Sequence, residues 1–425
     1  MTNDPLRPSL LPPGIAISAV GVGMAWTGLR LGNETLALCG LVLVSTALVA
    51  WLTSRHLRSS LAAGRFHHPR VFEEGICHVQ LRVENRGRLP LLGIELRDAF
   101  PPGDIYRVNL MDRRVLRPHR GVAVQYRRVC ARHRGVYALG PLQLRGADPT
   151  GLFPFATEIP EISRLLVYPQ AAGLQFFPLL GDGTLTRTGE EILPEPGDSV
   201  EFRGVREWRA SDGRRGVHWR TTARLGRLMA KEFDQDVITE VTIVLDLRRM
   251  ALTGLGDHST LEYAVRAASS TAQTAVEKQH LVQLFGLGGK ERVHVPFGAG
   301  GRHLTQILDS LTLIRAEGDG DYVAEFDAVV PTLRRGATLL LIISAAAFDW
   351  PRMEPMLRAL EIDGVRVVAV VLDDRSLLAL FKEQDRVHRE GPDLEALIYG
   401  LRDLGAEIFT IAAREDVRRR LETPL

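Results

Sequence analysis

The chain has 425 residues, with 53 lysines and arginines against 51 aspartates and glutamates, and the resulting charge of +2 is too small to imply a polyanionic partner by itself. Hydrophobic residues at 45% and charged residues at 24% exclude a disordered chain, and the length allows two or three domains with separate cores. Three cysteines, Cys39, Cys77 and Cys130, exclude a disulfide framework.

Two uncharged stretches open the chain, Leu10 to Leu29 and Thr35 to Thr53, each about the 20 residues that a helix needs to cross hydrocarbon. Trp26 and Trp51 lie near their ends, where interfacial aromatics concentrate, and "RLGNE" leaves room only for a tight connection. Arg7 precedes the first stretch and Arg55, Arg58, Arg65 and Arg70 follow the second. Basic residues gather on the cytoplasmic side, so the expectation is a transmembrane hairpin over 1–58 in a cell inner membrane, with both termini and all soluble domains in the cytoplasm. No small-residue cleavage site follows the first stretch, which argues against a signal peptide.

From residue 59 to 170 the pattern changes to short alternating runs separated by turns such as "ENRGRLP" and "FPPGD". Val79, Leu81 and Val83 alternate with Gln80, Arg82 and Glu84, the period of a half-buried strand, and several such runs predict an antiparallel β sandwich. Cys77 and Cys130 fall in these strands and read as buried free thiols, with a bridge as the alternative. His67, His68, His119 and His133 lack the paired spacing of zinc ligands.

Residues 171–237 form an arginine-rich junction. Arg203, Arg206, Arg209, Arg220 and Arg224 are interleaved with Asp212, His218, Trp208 and Trp219 at a spacing that is neither a helical nor a strand face throughout. Such a set reads as an ordered, irregular linker whose arginines pair with carboxylates to clasp two domains, ahead of lipid or nucleic-acid contact.

Over 238–425 strand-like text alternates with amphipathic text: "VTIVLD", "LEYAVRAASSTAQTAVEKQ", "HLVQLFGLGG", "HLTQILDSLTLIRA", "FDAVVPTLRR", "ATLLLIIS", "PRMEPMLRALEID", "VRVVAVVLDD", "LEALIYGLRDLG", "AEIFTI" and "REDVRRRLE". That order predicts an α/β doubly wound, mainly parallel sheet, with ligands gathered at the carboxyl ends of its strands, where Asp246 stands. "GLGGKER" lacks the spacing and the hydroxyl of a phosphate loop and reads as a hairpin turn into "RVHVPF".

Gly197-Asp198-Ser199, "VHWRTTAR" from Val217, Lys231-Glu232, the strand closing in Asp246 and "HRGVYALGPL" from His133 together resemble the bacterial "domain of unknown function 58" family over the whole chain. Trp208 and Ser211-Asp212 depart conservatively from its pattern. The resemblance implies a von Willebrand factor A-like domain, in which the aspartate corresponding to Asp246 and two serines help hold a divalent ion. Here Arg248 and Met250 stand in the serine places and offer no hard oxygen, Ala345 follows Ser344 where a further aspartate is common, and Asp349 lies too far along the loop. The expectation is a site with no metal and no cofactor, in which Arg248 contacts Asp246, with Asp246, Arg248 and Ser344 as interaction residues and Arg248 free to bind a partner carboxylate. The reading of the residues is a membrane-tethered, non-enzymatic interaction platform, and the resemblance implies a MoxR-type AAA ATPase partner and a role in assembly or maturation of envelope complexes. A metal-dependent binding protein using Asp246 is the alternative and a hydrolase the third.

Overall fold

Proline tolerates the first position of a helix because its missing N–H would have no partner there, and Pro13 opens α1 (Pro13–Leu31) in this way. Gly32, with φ of 65°, ends α1 through an N–H bond to the Gly28 carbonyl. Asn33 then caps α2 (Glu34–Ser60), its side chain accepting from the Leu36 N–H at 3.1 Å. The computed structural model describes residues 12–103, 107–130, 133–175, 202–208, 217–233, 238–380 and 394–425. It divides into two compact units, Met1–Gln170 with Leu311–Leu313, and Ala171–Ser310 with Ile314–Leu425.

In the first unit, α1 and α2 are both long and apolar enough to cross a membrane. Gly14, Gly21 and Gly28 are buried at seven-residue intervals on α1, and Gly40, Ala47 and Ser54 repeat that interval on α2. The close approach requires them: a Cβ on Gly28 would strike the Ala37 backbone, and one on Gly40 the Ala25 backbone. Arg30 lies over the Trp26 ring, 4.9 Å from its centroid, and Arg55 over Trp51 at 5.9 Å. The second helix continues beyond the apolar stretch expected to end at Thr53, because Leu57 is fully buried in the core of the following strands.

Those strands are β1 (Leu61–His67), β2 (Arg70–Phe72), β3 (Ile76–Asn85), β4 (Leu91–Ala99), β5 (Arg107–Leu116), β6 (Arg120–Val129), β7 (Gly135–Leu139), β8 (Leu142–Ala147), β9 (Pro154–Ile159) and β10 (Ser163–Tyr168). They form sheets ordered β1-β3-β6, β5-β4-β8-β9 and β2-β10-β7, antiparallel except for the parallel pair β2 and β10. Val79, Leu81 and Val83 face a shared core with Leu96, Leu144, Phe155 and Leu165. Arg65 is also inside, contrary to its expected place among the residues flanking the span. Its Nε donates to Asp98 Oδ2 at 3.1 Å and its Nη2 to Oδ1, while Tyr126 donates to Oδ2 at 2.6 Å. Cys77 and Cys130 are free and buried, and burial pushes their thiols up to about 11 and about 12.

The second unit begins with β11 (Phe202–Glu207), α3 (Trp219–Leu225) and β12 (Met229–Phe233), with β11 and β12 antiparallel. This part of the junction is therefore regular where an irregular linker was expected, because Val217, Met229 and Ala230 have an apolar side to bury. There follow β13 (Glu240–Asp246), β14 (Gly254–Leu255), β15 (His258–Ser259), α4 (Thr260–Glu277), β16 (Leu281–Leu287), β17 (Val293–Gly298), α5 (Gly300–Leu313), α6 (Tyr322–Phe326), β18 (Thr338–Ser344), α7 (Trp350–Ile362), β19 (Arg366–Leu372), α8 (Asp374–Leu380), α9 (Leu394–Asp403), β20 (Glu407–Ile411) and α10 (Val417–Leu421).

The main sheet runs β17-β16-β13-β18-β19-β20, parallel except for the edge strand β17. "GLGGKER" is the turn of the β16–β17 hairpin. One face of the sheet presents Val244, Leu341, Ile343 and Ala369 to Phe326, Met353, Leu357 and Leu401, while α4 packs against β13, β16, β18 and β19. "FDAVVPTLRR" is not the helix its pattern suggested: the chain makes the short α6 and a single 3-10 turn at Val330–Thr332, where Pro331 has no N–H to continue an α-helix.

Candidate functional site: a carboxylate closed by an arginine

Three parallel strands end side by side, and their carboxyl ends supply the site. Asp246 closes β13, Ser344 closes β18, and Asp374 stands two residues beyond β19. After Asp246 the chain turns through Leu247 and Arg248 into a 3-10 turn at Arg249–Ala251, which brings the Arg248 side chain back over the strand end. Asp246 Oδ1 accepts from the Arg248 backbone N–H and from its Nε, both at 3.0 Å, and Oδ2 accepts from Nη2 at 2.6 Å. Nη2 also donates to the Ala347 carbonyl at 2.8 Å, and Nη1 lies 3.6 Å from the Met250 sulfur. The guanidinium rests on the Tyr322 ring, 5.0 Å from its centroid.

This geometry decides what Arg248 can do. The residue is 7% exposed and its Nε and Nη2 are committed to Asp246 and Ala347, so no two-nitrogen edge is open for a partner carboxylate, contrary to the expectation. Both Asp246 oxygens face nitrogen donors of the arginine where a metal site would need a cation. Among the described residues no group of three or more histidine, cysteine, aspartate or glutamate side chains is arranged to hold a metal ion.

Ser344 donates its hydroxyl to Asp374, 2.8 Å from each carboxylate oxygen, and Asp374 Oδ2 also accepts from the Ala346 N–H at 2.9 Å. Among the described residues neither Ser344 nor Asp374 bonds to a histidine, so no imidazole base is paired with the Ser344 hydroxyl there. Asp349, before α7, pairs with Arg352 at 3.8 Å, yet its charge also helps hold the Arg248 cation.

Burial pushes the Asp246 carboxyl above the usual carboxylate range and the nearby Asp374 adds to that, while the bonds and charge of Arg248 pull the other way. Burial works against the Arg248 cation, and Asp246 overcomes it, holding the guanidinium above its ordinary value. Burial also drives the Tyr322 phenol far up; its hydroxyl is enclosed and has no hydrogen-bond partner among the described residues.

Of the junction residues, Arg209 and Asp212 lie outside the described residues. Arg203 and Arg206 lie on β11, and their side chains are likewise outside what is described. His218 caps α3, its Nδ1 standing 2.8 Å from the Thr221 hydroxyl; Trp219, Arg220 and Arg224 are exposed on that helix. Arg227 pairs with Glu207 across this small motif. Arg220 and Arg224 make no ion pair among the described residues.

Asp374, Tyr322 and the Ala347 carbonyl were not singled out from sequence. "VLDD" carried a usable signal, an acid at the end of a buried apolar strand, but pairing it with Ser344 requires knowing that β18 and β19 are neighbours.

No curated protein matches the chain. Among solved structures it is similar to the CARDB domain of a Pyrococcus furiosus protein in complex with di-metal ions, at 14% identity, 25% of this chain, 84% of that one and a TM-score of 0.19. A putative ApaA protein from Bordetella pertussis matches at 11% identity, 25% of this chain, 91% of that one and a TM-score of 0.20. A β-glucosidase from Erythrobacter marinus matches at 12% identity over 25% of this chain, which spans only 15% of the enzyme, with a TM-score of 0.17. These likenesses are too slight to carry an argument. Residues 204–383, which contain Asp246, Arg248, Ser344 and Asp374, match the family model described as "Protein of unknown function DUF58", and that match supports the resemblance to this family.

Proposed function

We propose that the chain is a membrane-anchored, non-enzymatic protein-interaction platform of the inner membrane, whose second unit is a von Willebrand factor A-like domain facing the cytoplasm. Its proposed partner is a MoxR-type AAA ATPase acting in assembly or maturation of envelope complexes, the role that the family resemblance implies. The observation that supports the reading is the Asp246–Arg248 pair: the carboxylate at the carboxyl end of β13, where ligands of such sheets gather, is closed by an arginine of its own segment. What remains for a partner is the rim around that corner, where Met250 is 52% exposed and Arg249 projects beside it. Capture of the intact protein from membranes is expected to co-purify an ATPase in chelator, and Arg249→Glu with Met250→Asp to weaken the capture. An unchanged capture by that variant, or none by the native chain, would remove this reading.

A second reading, divalent-ion binding, is favoured by one observation: Asp374 is close enough for its charge to act on Asp246, so two carboxylates and the Ser344 hydroxyl share the strand ends. Calorimetry of the native chain with magnesium, calcium and manganese tests it, and stoichiometric binding lost in Asp246→Asn would favour it over the platform with a closed site.

A further inference from the structure

The end of the first unit where α2 passes into β1 carries a basic surface. Three connections bring its parts together. The Arg86 N–H donates to the Ser60 carbonyl at the end of α2, at 2.9 Å. Buried Asn85, paired with both Leu61 and Arg120, donates to the Leu89 and Leu116 carbonyls at 2.8 and 3.2 Å and accepts from the Gly87 N–H at 2.9 Å. The β3–β4 and β5–β6 turns are thereby fixed within about two strand spacings, roughly 10 Å, of the helix exit. Exposed Arg55 and Arg58 on α2, Arg86 and Arg88 on the first turn, and Arg117 and Arg120 on the second form the surface.

Charge bookkeeping on this surface is one-sided. Glu84 is the one acid in these turns and the adjoining strand ends, and it is already engaged by Arg82 at 3.0 Å and Arg86 at 3.8 Å. Arg58, Arg88, Arg117 and Arg120 make no ion pair among the described residues. Leu89 and Val115 stand exposed between them, at 37% and 53%. From Arg55 to Ser60 is less than two helical turns, about 8 Å, so the surface lies one headgroup layer from the apolar part of α2. A second attachment prevents it from swinging away: the Gly14 N–H, at the start of α1, donates to the Leu152 carbonyl of the same unit at 3.0 Å.

We infer that this arginine collar docks on anionic phospholipid headgroups, with Leu89 and Val115 entering the interface between them. The inference rests on the membrane-spanning reading of α1 and α2. Guanidinium forks match phosphate oxygens, and each basic residue near an anionic surface strengthens association about fivefold at moderate salt.

The test uses the full chain in vesicles, with Leu89→Cys on a Cys39→Ser background carrying an environment-sensitive fluorophore. The fluorophore is expected to be quenched at least about twofold more by brominated phosphatidylglycerol than by the same fraction of brominated phosphatidylcholine, with the preference falling as salt shortens the roughly 8 Å screening length. Reversing Arg88, Arg117 and Arg120 to glutamate is expected to erase the preference while the chain stays in the bilayer. Equal quenching by both lipids in a chain that resists alkaline carbonate extraction would overturn the collar and leave the spans standing. Displacement by millimolar inorganic phosphate would overturn it in favour of a soluble anion site. Release by carbonate would remove the spans and the collar together.

Discussion

Arg248 holds Asp246 from two points on one residue, its backbone N–H and its Nε each donating to Oδ1 at 3.0 Å. The pair is nearly closed to water, so the penalty for breaking it exceeds the gain from forming it. Arg248→Ala is expected to lower stability by about 3–5 kcal/mol, because Asp246 is left enclosed without its cation. Asp246→Leu with Arg248→Met is expected to cost less than the single change. Chemical denaturation of the three variants checks the ordering.

Asp98 in the first unit offers a parallel case with two donors, Arg65 and Tyr126. Asp98→Ala is expected to cost about 3–5 kcal/mol by stranding the arginine, and Tyr126→Phe about 1.5–3 kcal/mol for one hydrogen bond to a charged group. Thermal melting of the purified full chain separates the two.

The thiols of Cys77 and Cys130 are held neutral by burial, up to about 11 and about 12. At pH 8 a water-soluble thiol reagent is expected to leave both unmodified in the native chain and to label both after denaturation. Labelling that tracks the unfolding midpoint would confirm that reaction requires opening of the core; fast labelling of the native chain would refute it.

Glu415 sets a pH dependence of known sign. Its bond to Arg420 holds the carboxyl below its usual 4.5, with the Ala412 N–H adding to this and burial opposing it. A lowered carboxyl stabilises the fold above the unfolded value and loses that contribution as pH falls through the lower folded one. Glu415→Gln is expected to flatten the acid limb of the stability curve just below about pH 4.5 without changing its slope near neutrality. The effect is small, since both partners are partly exposed.

Much of the strand content was legible because a period of two survives in the text: Val79, Leu81 and Val83 are buried, and Gln80, Arg82 and Glu84 are not. The buried parallel strands were legible for a different reason, as unbroken apolar runs such as Thr338–Ser344. The local half of the site was also within reach, since Asp246 and Arg248 are two residues apart and the turn between them closes the pair. Contacts set by sheet order were not. Arg65 read as a flanking surface charge because its carboxylate, Asp98, is 33 residues away on another sheet. Ser344 read as an interaction residue for the same reason, its bond to Asp374 depending on two strands lying side by side.

The passage from α2 to β1 occurs with no intervening linker: Leu57 is packed in the sheet core while Leu61 already pairs with Asn85. With Gly14, at the start of α1, tied to Leu152, the open end of the hairpin is joined to the strands at two places. The glycine-lined seam between the helices is thus connected to the sheets through two direct attachments, the unbroken passage from α2 into β1 and the Gly14–Leu152 bond.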